Sequence, residues 1–396
     1  MSSPDSPRVA IVYRLDRRGG VQSVSYALIR GLNRLGIVPD VLWDLEPDWD
    51  TLAAQSAQAN FRPLHFPIAS RTIDRLNATL TYLAWVPNVL RTSEIRPGYD
   101  FYYIFFNGLL VDDGTPHVRY LSGPPLLPQL QEDTRWPFKA ARGLYRGLLR
   151  RRWPAFEYHR GSNYVINSNF TAELFAEAHG ERLPVVHPPI DVSNRSYDPA
   201  DLARRDTITF FSRFVDFKRP EKVIELAAQH PELRVVLMGG VAPHRREYFE
   251  RLQRLAAERG RADIHFIANP SNEQVNAELA RTRFYVFPAV REHFGMTTVE
   301  AIASGAVPFV HDSGGQREIV PVDELRFTDE RMAAQFAALV SAPPERLNRL
   351  RAELSAHIRR FSEEVFVERM LGFLPFGRAP SAAIDQGRKM DAVRSS

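Results

Sequence analysis

Short apolar runs alternate with longer stretches of helical spacing along most of the chain, and this alternation sets the fold class. Residues 9–14 read as a buried strand. They enter the polar loop Asp16-Arg17-Arg18-Gly19-Gly20, and apolar positions at helical spacing then run over residues 23–35 to Gly36. Further strands are predicted at 38–43, 101–106, 117–121 and 164–166. A second series follows: strand 207–212, helix from Pro220, strand 234–238, helix over about 243–259, strand 263–268, helix from Ser271, strand 284–288, helix to Ser304 and strand 306–311. Strands this apolar, separated by helices, predict an α/β protein with largely parallel sheets covered by helices. Two complete series in 396 residues predict two domains, residues 1–195 and 196–355, joined within the proline-containing, polar stretch 188–206. The apolar spacing after His357 predicts a terminal helical segment, 356–376, and the glycine, proline and serine content of 377–396 predicts a loose tail.

Composition narrows the chemistry. With 44% apolar residues the chain can fill two cores. The absence of cysteine excludes thiol catalysis, disulfides and cysteine-ligated metals. Of 51 basic residues only four are lysines, and the net charge is +4. That charge is modest, and no base-reading module or zinc-finger spacing is present, so nucleic acid is a poor partner. Residues 1–8 carry no signal-peptide pattern and no long uncharged apolar run follows, which leads us to expect a soluble or surface-associated protein.

The most informative stretch is residues 284–320. An apolar strand runs into an acidic, glycine-containing turn, then a short helix, another strand and the pair Gly314-Gly315. Glu292 and Glu300 are thereby placed around a strand-end crevice, where small ligands bind in α/β domains. Two readings of the acids compete. Thr297-x-x-Glu300 fits a capping box, and Glu292 fits a solvated loop acid. Against this, His293-Phe294-Gly295 sets an aromatic and a hinge glycine before a helix whose free amides can hold an anion. A phosphate at those amides, flanked by acids that accept sugar hydroxyls, describes a nucleotide-sugar site better than a metal site.

The motif of two glutamates with seven residues between them, Glu292 to Glu300, stands with Phe294-Gly295, Gly314-Gly315 and Glu318 in surroundings that resemble the family-4 retaining glycosyltransferases. Asn167-Ser168-Asn169-Phe170-Thr171 and Val186-His187-Pro188-Pro189-Ile190-Asp191 resemble that family too, as does the run from Phe211 to Pro220. The resemblance implies the GT-B arrangement, two Rossmann-like domains with a cleft between them. It also implies a metal-independent enzyme that moves a hexose-type sugar from a nucleoside-diphosphate sugar to a hydroxyl acceptor. Arg213 and Lys218 would then lie over the diphosphate, Glu300 on the ribose and Glu292 on the sugar near its reacting centre. Gly295, Met296 and Thr297 would offer backbone amides, and Asn269 would sit on the loop that faces the base. Gly239 would permit close approach of the diphosphate or simply make a turn, and Gly19 and Gly20 would face the ligand. The donor expected from this resemblance is GDP-mannose or a UDP-sugar, with no further cofactor and no metal.

On the acceptor side the pattern departs from the family. Many relatives carry a histidine just before a proline-containing loop, but the nearest registration puts Ser122 there, beside Gly123, with His117 five residues earlier at a strand start. Residues 135–153 interleave Trp136, Phe138, Leu144, Leu148 and Trp153 with seven basic residues. This segment fits an amphipathic helix packed on its own domain, or one resting on an anionic membrane surface. The second reading accords with a lipid-linked glycan as acceptor and a place in the cytoplasm or at the cytoplasmic face of the membrane. The rivals are a nucleotide-sugar-binding module without transfer, and a transferase acting on a small metabolite or on nucleic acid.

Overall fold

The computed structural model describes residues 7–16, 19–74, 98–105, 114–123, 163–192 and 205–376. The basic aromatic segment 135–153 and the tail 377–396 lie outside these residues. The chain divides into two compact units, Met1–Pro189 with Glu364–Ser396, and Ile190–Glu363.

The first unit begins with β1 (Val9–Val12), α1 (Gly20–Arg34), β2 (Asp40–Trp43), α2 (Trp49–Ala54), β3 (Asn60–Pro63) and α3 (Ser70–Ile73). It continues with β4 (Phe101–Ile104), β5 (His117–Leu121), β6 (Asn163–Ile166) and α4 (Asn169–His179). The six strands are parallel in the order β3-β2-β1-β4-β5-β6, with Ile11 of β1 opposite Val41 on one side and Tyr103 on the other. The fully buried sequences of β1, β2 and β4 are those of strands covered on both faces. The sequence pattern did not reveal β3, because Asn60-Phe61-Arg62-Pro63 is a mostly exposed edge strand without an apolar run.

The second unit carries β7 (Thr207–Phe211), α5 (Pro220–Ala227), β8 (Arg234–Gly239), α6 (Arg246–Glu258), β9 (His265–Ala268), α7 (Asn272–Arg281) and β10 (Thr282–Phe287). After them come α8 (Met296–Ala303), β11 (Val307–His311), α9 (Gln316–Ile319), β12 (Arg326–Phe327), α10 (Met332–Val340) and α11 (Pro344–His357). Its sheet is again parallel, in the order β12-β11-β10-β7-β8-β9. The two-residue β12 is too short to show a period, and pairs through Val310–Arg326 and His311–Phe327. Local chemistry sets the helix starts: Ser271 and Gln274 form a reciprocal capping box at α7, and Pro220 opens α5 where its missing N–H costs nothing.

The last helix among the described residues, α12 (Glu363–Leu371), returns the chain to the first unit. Phe366, Val367 and Met370 join that unit's core, where the Tyr103 hydroxyl donates to the Met370 carbonyl at 3.0 Å.

Candidate functional site

In each sheet the strand order reverses once, between β1 and β4 and between β7 and β10. At such a switch point the connections leave on opposite sides and open a crevice beyond the carboxyl ends of the strands. In the second unit the two chain segments that leave this point carry Arg213 and Lys218 after β7, and Glu292 after β10.

The structure brings Lys218 and Glu292 together directly. Lys218 Nζ pairs with Glu292 Oε2, both side chains being largely buried. The ammonium also lies 5.5 Å from the ring centre of Phe217 and 5.3 Å from that of Phe287. Lys218 is therefore held by one carboxylate and two aromatic rings. Arg213 is exposed, its guanidinium 5.9 Å from the Phe217 ring. Phe217 itself is 58% exposed, so it forms the rim of this basic cluster. Arg219, with φ 56°, points elsewhere: it donates to the Pro288 carbonyl at 3.2 Å and to Asp329 at 2.5 Å.

The loop bearing Glu292 is anchored from below and clamped from the side. Phe294 is buried edge-on to Phe361, with ring centres 5.1 Å apart. Gly314 and Gly315 press on the loop's backbone. A Cβ on Gly314 would stand 2.4 Å from the Glu292 carbonyl oxygen, and one on Gly315 2.4 Å from that of His293, while the Gly315 amide donates to Glu292 O at 2.7 Å. The glycine pair is thus required for close packing that fixes Glu292.

Helix α8 starts immediately afterwards. Its N-cap is Gly295, with φ 112° and no side-chain cap, so the capping-box reading of Thr297 and Glu300 does not hold. Thr297 instead shares a hydrogen bond of 2.7 Å with the hydroxyl of Tyr285, which also donates to the Phe211 carbonyl at 3.0 Å. Glu300 lies one turn into the helix, half-exposed. As first residues of a helix, Met296 and Thr297 have amides without intrahelical acceptors. A Cβ on Gly295 would meet Gln316 Nε2 at 2.3 Å. Gln316 is fully buried, and neither polar atom of its carboxamide has a partner among the described residues.

Gly239 and Asn269 serve the neighbouring strand ends. A Cβ at Gly239 would lie 1.6 Å from the Ser212 carbonyl oxygen, so glycine is demanded there by the passage of the β7 connection. Asn269 adopts φ 52°; its side chain accepts from the Val241 amide at 2.9 Å, and its own amide donates to Gly239 O at 2.8 Å. His311 and Asp312 are tied into structure: His311 Nδ1 is 2.9 Å from Ser313 Oγ, and Asp312 accepts from Arg317 and Arg326, each at 2.9 Å. Burial opposes ionisation of Asp312, yet the two guanidiniums outweigh it and hold the carboxyl below its usual range. Among the described residues no group of three or more histidines and carboxylates is placed to hold a metal ion.

In the first unit, Gly19 and Gly20 open α1 at the corresponding switch point, both exposed. Beside them Arg14 makes bidentate contacts with Asp16, at 2.8 and 2.6 Å, and with Asp74, at 2.9 and 2.8 Å. Ser122 and Gly123 follow β5, with the Ser122 carbonyl accepting from Asn167 Nδ2 at 2.7 Å. His117 sits at the other end of β5. The sequence reading missed Arg14, Asp74 and Tyr285. The one signal for Tyr285 was a hydroxyl within an apolar strand, which needs a partner when buried.

Residues 199–350 match the family described as Glycosyl transferases group 1. The chain is 26% identical over 235 residues to a GDP-Man:Man(3)GlcNAc(2)-PP-Dol alpha-1,2-mannosyltransferase of Dictyostelium discoideum, covering 54% of this chain and 46% of that protein. It is 27% identical over 225 residues to a D-inositol 3-phosphate glycosyltransferase of Mycolicibacterium smegmatis, covering 52% of this chain and 51% of that one. The chain thus matches about half the length of these curated relatives. Among solved structures, Anabaena HepE in complex with UDP and glucose superposes with a TM-score of 0.70 over 94% of this chain and 100% of that one, at 16% identity. WaaG, a glycosyltransferase of lipopolysaccharide biosynthesis, gives 0.63 over 93% and 100%, at 17% identity. The fold is that of GT-B glycosyltransferases, with two parallel six-stranded sheets.

Proposed function

From its resemblance to the family-4 glycosyltransferases of the GT-B fold, we propose that the chain is a retaining glycosyltransferase that moves a hexose from a nucleoside-diphosphate sugar to a hydroxyl acceptor. What supports this most is the Lys218–Glu292 pair at the β7–β10 switch point, beside Arg213 and the start of α8. Arg213 and Lys218 are cations for the diphosphate, and the amides of Gly295, Met296 and Thr297 supplement them. Glu300 accepts from the ribose, Glu292 from the transferred sugar, and the loop turned by Asn269 faces the base. The relatives' names favour GDP-mannose as donor, while HepE was solved with UDP and glucose, so both bases belong in the test.

As the bond between the sugar's anomeric carbon and the diphosphate oxygen breaks, negative charge grows on the leaving group, and fixed cations and amides stabilise it there. The acceptor oxygen bonds to the same face of that carbon and its proton passes to the departing phosphate. No protein acid is then needed to protonate the leaving group. Ser122 and Gly123 belong to acceptor binding on the first unit, and Gly19 and Gly20 face the donor. The acceptor is a lipid-linked glycan or a polyol phosphate, the classes named for the relatives, and a lipid-linked one places the protein at the cytoplasmic face of a membrane. Among the described residues no helix is long and apolar enough to cross a membrane.

The test is acceptor-dependent release of nucleoside diphosphate across a panel of UDP- and GDP-sugars, with the product's anomeric configuration read by NMR. Release should persist with chelator, and Arg213→Ala or Lys218→Ala should lower it about tenfold to thousandfold. Tight donor binding with no transfer to any acceptor would leave a binding module, and strict dependence on manganese or magnesium would overturn this account of phosphate stabilisation.

A further inference from the structure

Tyr285 lies in β10, next to β7 at the switch point, and its hydroxyl touches two groups of different character. One is the Phe211 carbonyl oxygen at 3.0 Å, the other Thr297 Oγ1 at 2.7 Å. Burial, with the charges of Glu300 and Glu292 adding to it, outweighs the lowering effect of the hydrogen bond with Thr297 and pushes the phenol far above its ordinary pKa, so it keeps its proton. A phenol has one proton and a carbonyl only accepts. Both contacts are hydrogen bonds only if Tyr285 donates to Phe211 and Thr297 donates to Tyr285.

That order fixes the polarity of Thr297. Its proton is committed inward to the phenol, which leaves the oxygen's lone pairs as acceptors on a half-exposed residue. A phosphate oxygen has no proton to offer such a group, whereas a sugar hydroxyl has one. Behind Gly295, two residues before Thr297, the buried Gln316 carboxamide has no partner among the described residues. We propose that the Thr297 hydroxyl is an acceptor that reads a hydroxyl group of the donor, and that Tyr285 is the positioning residue that sets its direction. The inference rests on the nucleotide-sugar reading of the site. The hydroxyl recognised is either on the ribose or on the transferred sugar, and the chemistry is the same for both.

Calorimetric titration of the full chain with UDP, GDP, UDP-glucose and GDP-mannose tests this. Thr297→Val, which keeps the shape and removes the hydroxyl, should weaken binding about threefold to tenfold, and Thr297→Ser should recover the loss. Tyr285→Phe should weaken binding similarly, and the double variant Tyr285→Phe/Thr297→Val should be no weaker than Thr297→Val, since both changes break one relay. A loss already present with UDP or GDP assigns the ribose; a loss confined to the nucleotide sugars assigns the transferred sugar. Parent-like affinity of Thr297→Val for every ligand the parent binds overturns the inference alone, as does a double variant in which the two losses add. A parent that binds none of the four defeats the donor-site reading and this inference with it.

Discussion

Lys218 and Glu292 form one electrostatic unit, so a change in either is felt by the other. Replacing Lys218 removes a cation and also leaves the Glu292 carboxylate unpaired, largely buried and repulsive toward a diphosphate. Lys218→Ala should therefore weaken nucleotide binding more than Arg213→Ala, whose exposed side chain has no such dependent. Glu292→Gln acts in the opposite sense: it releases Lys218 toward the phosphates, so affinity for free UDP or GDP should hold or rise while turnover falls by about a hundredfold. Glu300→Gln should weaken the nucleoside diphosphates themselves by about tenfold through the ribose. Parallel titrations and initial rates separate the two acids. A Glu292→Gln protein that loses nucleoside diphosphate and turnover together would move Glu292 off the transferred sugar. The pair itself was not legible in the sequence, because Lys218 and Glu292 lie on different strand connections and only the sheet order places them side by side.

At the scale of elements, the switch point is braced by Arg219, which joins the start of α5 to the end of β10 and to Asp329 ahead of α10. Its hydrogen bond holds the Asp329 carboxyl below its ordinary range. A depressed carboxyl contributes stability that is present above its unfolded pKa of about 4 and is lost as pH falls through the lower, folded value. For a pair this exposed the gain is about 1 kcal/mol or less. Thermal unfolding of the parent and Asp329→Asn should differ by a constant amount from neutral pH to about pH 5 and converge in stronger acid. A gap unchanged to about pH 2 would mean that the tie is not ionic. The strands that frame the site, β7, β8 and β10, were readable because buried parallel strands are nearly continuous apolar runs. The edges β3 and β12 were not, since short or exposed strands carry no period. The Glu292–Glu300 spacing correctly set one acid on a strand-end loop and the other in a helix. Of the two readings of that helix start, the glycine before free amides is the one the structure has, and the capping box fails because Thr297 satisfies its hydroxyl through Tyr285, a tertiary contact that local spacing does not encode.

At the scale of the whole molecule, the chain enters and leaves the second unit through adjacent segments. Ile190 bridges Ser362 in parallel, and its amide donates to Phe361 O at 2.9 Å. Beyond that bridge α12 is core material of the first unit, where Phe366 is buried edge-on to Tyr120 with ring centres 5.9 Å apart. The first unit therefore completes its core only after the entire second unit has been synthesised. Arg213, Lys218, Glu292, Glu300 and the amides at the start of α8 all lie in the second unit, with its own separate core. Phe366→Ala should cost the first unit about 3–5 kcal/mol, as expected for truncating a buried aromatic. Scanning calorimetry should then show a transition displaced to lower temperature. Titration with UDP or GDP below that transition should give parent affinity, because no group that holds the nucleotide has changed. Transfer to an acceptor should fall together with the first unit's folded fraction. Loss of nucleotide binding while the second unit remains folded would show that the donor site draws on the first unit, and would move part of the donor machinery there.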